Sequence, residues 1–265
     1  MSQPASPIAA PASLQPWLCG VVWRSVEIGM SGAAVYRLES PDAAPRYLKL
    51  ADGPRLAELR AERERLIWLR GRLPVPAVLA WAEEDGRGWL LLAEAPGVMA
   101  CDPGVSGDPA RVARLLAEGL RRIHSLSIAN CPFDMRAGRR LTLAERNIRA
   151  GLVEPGATLD GQPISPRRLL ARLRATRPAE PASDLVFVHG DYCLPNVLLG
   201  AAGVSGYLDW GRAGVSDRYQ DLAIGARSVR YNLGAEWGPR FLAAYAAEPL
   251  DASRLAWYEA LDELF

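Results

Sequence analysis

Hydrophobic and β-branched residues gather in three short runs near the start of the chain, Val21 to Glu27, Ala33 to Leu38 and Arg46 to Leu50. The turn-forming stretches Gly29-Met30-Ser31-Gly32 and Ser40-Pro41-Asp42 separate them, so the pattern predicts antiparallel strands joined by turns. The period then changes. Pro54 suits a first helical position, and Leu56, Leu59, Leu66 and Leu69 keep helical spacing up to Gly71. Two further strands, Ala77 to Ala82 and Gly88 to Glu94, bracket the turn Asp85-Gly86-Arg87, and Pro96-Gly97 breaks the pattern. A lobe boundary fits there. Beyond it Asp108-Pro109 starts a helix towards Leu126, Ser165-Pro166 starts another towards Arg174, and the pattern from Asp217 onward is largely helical. Short strands are expected at Leu185 to Val188, Val197 to Leu199 and Gly206 to Leu208, with a surface loop at Arg177 to Ser183. The expected architecture is α+β and bilobal, with a small antiparallel β-rich lobe over residues 1–95 and a larger, mainly helical lobe over residues 96–265.

Composition narrows the function classes. The 265 residues are 49% hydrophobic and 23% charged, ordinary for a globular enzyme with two lobes and a shared cleft. Thirty-one basic residues against 30 acidic ones leave no excess to grip a nucleic-acid backbone or an anionic membrane. Cys19, Cys101, Cys131 and Cys193 are scattered without C-x-x-C pairs and only two histidines exist, so a Cys/His zinc site has no ligand set. No basic n-region precedes an apolar core, and no apolar run reaches the roughly 18 residues of a membrane span. These features predict a cytoplasmic protein, monomeric or weakly dimeric, with free thiols.

The chemistry concentrates in His189-Gly190-Asp191-Tyr192-Cys193-Leu194-Pro195-Asn196 followed by Asp209-Trp210-Gly211-Arg212. An Asp, an Asn five residues later and a second Asp before Gly flank a short hydrophobic hairpin. The spacing matches the H-R-D-x-x-x-x-N and D-F-G motifs of protein kinases. Phosphoryl transfer needs an aligned hydroxyl and neutralised phosphate oxygens. Asp191 is the candidate to orient or deprotonate the hydroxyl, and Asn196 and Asp209 offer hard oxygens for magnesium. Lys49, near the end of the third strand, is the candidate phosphate anchor. Glu62 falls on the apolar face of the following helix, where an unpaired charge is costly, and is its expected partner. The turn around Ser31 could present N–H groups and a hydroxyl to phosphate, although it departs from G-x-G-x-x-G. Glu94 and Ala95 are the expected hinge against an adenine edge. His189 is expected to scaffold the loop, His124 to be a capping or core histidine, and Asp217 and Asp221 to brace loops. Arg212 and Arg227 could pair with those two aspartates or line the cleft. Asp262, Glu263 and the Phe265 carboxylate place negative charge at a helix end, where the macrodipole disfavours it and a polycationic ligand would offset it.

These motifs, with Gly214-Val215-Ser216-Asp217-Arg218-Tyr219-Gln220-Asp221 and the ending Leu261-Asp262-Glu263-Leu264-Phe265, closely resemble the aminoglycoside 3′-phosphotransferases from about Gly29 to Phe265. The resemblance implies a protein-kinase-like fold, ATP and magnesium, and transfer of the γ-phosphate to the 3′-hydroxyl of drugs such as kanamycin and neomycin, with antibiotic resistance as the outcome. It implies Asp191 as base, Asn196 and Asp209 as metal ligands, Lys49 with Glu62 as phosphate pair, and Asp262, Glu263 and Phe265 as the seat of the drug's ammonium groups. The acidic loop that relatives extend over the substrate is represented mainly by Asp160, which predicts an altered substrate range. Bulky Tyr192 and Trp210 stand beside the candidate catalytic and metal residues. A kinase of this fold acting on another hydroxylated metabolite, and a catalytically dead nucleotide-binding regulator, are the competing readings.

Overall fold

The computed structural model describes residues 8–26, 34–154, 158–159 and 162–265. They form two compact units: the described residues of Met1–Val98 with Leu198–Gly211, and those of Met99–Val197 with Arg212–Phe265. A single cut at 95/96 therefore differs from the observed partition, because the segment carrying Asp209 belongs with the N-terminal strands.

In the first unit a short helix α1 (Gln15–Leu18) precedes β1 (Val22–Ser25), β2 (Ala34–Ser40), β3 (Ala43–Asp52), β4 (Val78–Glu84) and β5 (Arg87–Ala93). These five strands make one antiparallel sheet in the order β1-β2-β3-β5-β4. The central strand β3 outlasts its expected bounds because it is hydrogen-bonded on both sides, to β2 and β5. Helix α2 (Leu56–Leu69) follows a 3-10 turn at Gly53–Arg55 and buries Leu56, Leu59, Leu66 and Leu69, the residues that set its period. Leu38, Leu48, Trp89 and Leu91 join Leu14 and Leu18 in a continuous apolar cluster. Each fully buried side chain of this kind contributes roughly 1.5–3 kcal/mol. The short strand β6 (Val98–Met99) and the hairpin β10 (Val197–Gly200) and β11 (Gly203–Tyr207) form a three-stranded sheet in the order β11-β10-β6. The β11 strand lies earlier than expected and stops before Leu208.

The second unit is mainly helical. After the short α3 (Pro103–Ser106), α4 (Pro109–His124) begins where Asp108 and Pro109 predict it. The Asp108 carboxylate accepts from the Arg111 N–H at 3.0 Å, an N-cap of the kind that contributes about 1 kcal/mol. Then come α5 (Ala137–Ala150), the two-residue strands β7 (Thr158–Leu159) and β8 (Gln162–Pro163), and α6 (Pro166–Ala175). Strand β9 (Leu185–Val188) pairs antiparallel with β12 (Gly214–Asp217). Helices α7 (Tyr219–Leu233), α8 (Trp237–Tyr245) and α9 (Ala252–Asp262) complete the unit. α7 packs against α8 and α9, α4 against α8, and α5 against α6. Leu141, Leu169, Leu173, Tyr219, Trp257 and Leu261 lie in one buried cluster that also contains Leu264. No helix among the described residues is long and apolar enough to cross a membrane.

Candidate active site

The candidate residues fall into two groups, one in each unit. In the first, β3 carries Lys49, α2 carries Glu62, and the turn after β11 carries Asp209. Lys49 Nζ donates to Glu62 Oε1 at 2.7 Å and to Asp209 Oδ1 at 3.2 Å. Glu62 is only 4% exposed, as its place on the apolar face of α2 requires, whereas Glu58 and Glu64 are exposed. The Trp210 backbone N–H also donates to Glu62. Burial disfavours the Lys49 ammonium, but Asp209 and Glu62 outweigh that effect and hold its pKa above the usual lysine range. Lys49 is thus a permanent cation fixed between two carboxylates. Asp209 adopts φ 62°, left-handed backbone that a non-glycine residue takes only where its surroundings impose it. The neighbouring Trp210 is fully buried, with Nε1 donating to Tyr207 O at 3.1 Å, so its bulk anchors this turn.

The second group is the loop after β9. Asn196 Nδ2 donates to both Asp191 Oδ2 and Asp191 O at 3.0 Å, which fixes the Asp191 carboxylate and turns the Asn196 amide nitrogen inward. The loop hangs from one buried carboxylate. Asp221, on α7 and 0% exposed, accepts from His189 N at 2.7 Å and Gly190 N at 2.8 Å. Its Oδ2 also lies 3.1 Å from His124 Nε2. A carboxylate only accepts, so Nε2 is the protonated nitrogen, and Nδ1 sits 2.7 Å from the Tyr245 hydroxyl. Burial holds that phenol above its ordinary range, so the hydroxyl keeps its proton. His124 is therefore a strut between α8 and the loop brace rather than a helix cap. His189, fully buried, accepts from the Asp191 N–H at 3.3 Å through Nδ1. Tyr192 is also a core anchor, its hydroxyl donating to Leu116 O at 2.7 Å. Asp217 braces too, accepting from Tyr219 N at 2.9 Å and pairing with Arg254.

Gly190 is required by geometry. Its φ is 85°, and a Cβ there would stand 2.0 Å from the Arg212 carbonyl oxygen. Gly190→Ala is expected to cost about 1–3 kcal/mol, read as a lower midpoint in urea denaturation. An unchanged midpoint would contradict this placement.

The acidic end differs from its sequence-based reading. Asp262 does not present an unmatched charge: Arg140 Nη2 donates to its Oδ1 at 3.3 Å, Arg212 Nη1 lies 3.9 Å from the same oxygen, and Arg227 donates to its Oδ2. Arg227 Nη1 also donates to Glu263 Oε1 at 3.1 Å. Arg212 and Arg227 thus pair with the carboxylates at the end of α9, while Asp217 is met by Arg254 and Asp221 by the loop N–H groups. The helix-end charge is offset internally, so a ligand is not needed to explain its tolerance. The Phe265 ring is bracketed by guanidiniums, Arg140 at 4.0 Å and Arg212 at 5.3 Å from its centroid.

Arg140 is a residue that sequence reasoning missed. It is 0% exposed, contacts Gly190 O at 3.5 Å as well as Asp262, and burial pushes its guanidinium down to about 10 despite the opposing Asp262 charge. Its Nε has no hydrogen-bond partner among the described residues. The available signal was position: Arg140 interrupts the apolar stripe of Ala137, Leu141 and Ala144 on α5.

The remaining candidates are less informative. Glu94 is turned towards Arg37 Nη2 at 3.2 Å, and its N–H donates to Pro45 O at 3.3 Å. Ala95 lies beside Gly206. Ser31 and Asp160 lie outside the described residues. Among the described residues no three His, Cys, Asp or Glu side chains gather as a metal site. Asn196 and Asp209 each carry a hard oxygen of the kind magnesium takes, a cation that uses one or two protein oxygens and completes its shell with phosphates and water.

Residues 22–259 match the APH phosphotransferase enzyme family. An aminoglycoside 3′-phosphotransferase of Niallia circulans is 37% identical, the alignment covering 90% of this chain and 91% of the relative. A streptomycin 3″-kinase of Streptomyces griseus is also 37% identical, over 96% of this chain and 97% of its own. The solved structure of the Streptomyces rimosus phosphotransferase APH(3″)-Id in complex with ADP and streptomycin superposes with a TM-score of 0.76 at 32% identity, covering 91% of this chain and 92% of that one. With the kinase-type lysine pair, the braced Asp191 loop and this match across most of its length, the chain belongs to the phosphotransferase enzyme family that the aminoglycoside phosphotransferases represent.

Proposed function

We propose that the protein transfers the γ-phosphate of ATP to a hydroxyl of an aminoglycoside antibiotic, at the 3′ position of kanamycin- and neomycin-type drugs, and so confers resistance. The observation that carries the reading is Lys49 held between Glu62 and Asp209. A binding module has no need of a buried lysine kept charged beside a second, partly exposed carboxylate. A phosphate anchor beside a metal ligand does.

In this reading Lys49 binds the α- and β-phosphates and Glu62 keeps its ammonium aimed. Ser31, Glu94 and Ala95 contribute to the nucleotide seat. Asp191, oriented by Asn196, accepts a hydrogen bond from the acceptor hydroxyl and then its proton. Magnesium, when bound through Asn196 and Asp209 oxygens, supplies charge neutralisation on the phosphate oxygens. Asp160, Arg212, Arg227, Asp262, Glu263 and Phe265 form the acceptor side.

A second regiochemistry is favoured by the streptomycin 3″-kinase, whose identity to this chain equals that of the 3′ relative. Incubation with ATP, magnesium and either kanamycin or streptomycin separates the two. The expected product is kanamycin phosphorylated at the 3′-hydroxyl, located by phosphorus and proton NMR. Phosphorylated streptomycin alone would move the assignment to 3″. ATP turnover with neither drug would support a different hydroxylated acceptor, and nucleotide binding without turnover would support a regulator.

A further inference from the structure

The acceptor-side carboxylates are already engaged by cations of the protein itself. Helix α7 presents Arg227 and Arg230, three residues apart, to Glu259, Asp262 and Glu263 of the α9 end. Arg230 Nη2 donates to Glu259 Oε1 at 2.6 Å, and Arg227 spans both Asp262 and Glu263 with its two terminal nitrogens. The cations differ in their freedom. The Arg140 side chain is 1% exposed and wedged against Phe265, whereas that of Arg227 is 35% exposed. Burial opposes the Arg227 charge, but Asp262 and Glu263 more than compensate, so the guanidinium stays protonated.

We propose that Arg227 is a resident cation in the ammonium seat of Asp262 and Glu263, so that a polycationic acceptor binds by displacing it and selectivity among acceptors follows from that exchange. The inference rests on the reading that these carboxylates face an aminoglycoside. Three physical points support it. Arg227 is the most exposed of the three guanidiniums that meet Asp262, and its second partner Glu263 is itself part-exposed, so it is the cation an incoming ligand can reach and replace. Asp262 keeps Arg140 and Arg212 when Arg227 leaves, so no buried charge is orphaned. An acceptor with more ammonium groups replaces the guanidinium with more charge than it removes, so the exchange discriminates by charge number.

The test is Arg227→Gln in the full chain, assayed with kanamycin and the more highly charged neomycin, with Arg227→Lys as the charge-retaining control. Expected for Arg227→Gln is a KM for neomycin lower by about 5- to 10-fold, a smaller fall for kanamycin and an unchanged KM for ATP, while Arg227→Lys, which keeps the charge but cannot span both carboxylates, shows a smaller fall for neomycin than Arg227→Gln. A KM that rises or stays level for both drugs would overturn the proposal and make Arg227 a direct contact or a framework residue. A second readout uses the unaltered protein: the side-chain 15N resonance of Arg227 should shift and lose exchange protection when neomycin is added, and no change would equally overturn it. Kanamycin turnover by the unaltered protein tests the functional reading on its own. If turnover is absent, the neomycin-to-kanamycin affinity ratio by calorimetry still decides the exchange.

Discussion

Asp191→Asn is expected to lower kcat for phosphoryl transfer by about 100- to 10 000-fold, with the melting temperature and the KM for ATP essentially unchanged. Asparagine keeps the size of the side chain and one carbonyl-type oxygen, so the donation from Asn196 Nδ2 to position 191 survives, and with it the loop. What is lost is the ability to take a proton and the negative charge that aligns the acceptor hydroxyl. Because the loop hangs from Asp221, the backbone at 189–190 does not rely on the Asp191 carboxylate. Steady-state kinetics with thermal denaturation of the same preparation checks both halves. An unchanged kcat would remove Asp191 from its role, while a large fall in melting temperature would show that the residue holds the loop instead.

Asp221→Asn should act on stability first, with a loss of roughly 3 kcal/mol or more. The carboxylate is fully buried and accepts two consecutive backbone N–H bonds besides meeting His124 Nε2. The amide offers a single acceptor oxygen, and its NH2 group faces donors. At least one N–H beside Asp191 is left without a partner in the interior, which costs more than the bond that was made. Urea denaturation reads the stability loss, and kcat is expected to fall at least about 10-fold because the freed backbone is that of the residues leading into Asp191. A stability change under about 1 kcal/mol would mean that the loop is supported elsewhere.

The sequence made the regular, strongly patterned parts of this fold legible. Leu56, Leu59, Leu66 and Leu69 marked α2 because their period is uninterrupted, and Asp108-Pro109 marked α4 because the cap is local chemistry. Helix α5 went unread for the opposite reason: Arg140 and Asn147 occupy buried positions in it and break the apolar stripe. Both are buried because distant groups receive them, Asp262 and Gly190 O for Arg140 and Leu264 O for Asn147. Strand β12 was likewise invisible, since Gly214–Asp217 has no alternation and is defined by its partner β9. At the site, the pairing of Lys49 with Glu62 followed from the cost of an unpaired charge on an apolar face. The pairing of Arg212 and Arg227 with the α9 end did not, because sequence spacing ranks close neighbours and these contacts link residues 35–50 positions apart.

The last turn of the chain alternates two duties within four residues. Leu261 and Leu264 are fully buried in the helical core, while Asp262 and Glu263 between them meet the arginines of α5 and α7. This interleaving constrains evolvability. A change of backbone path here would alter acceptor preference only by opening the core, so insertions and register shifts are selected against through abundance before selectivity is ever sampled. Side-chain replacements at Glu263 and Arg227 avoid that penalty, because both are part-exposed. Diversification of drug spectrum in this lineage is therefore expected to run through single charge swaps at those two positions, with the length and packing of the segment held constant.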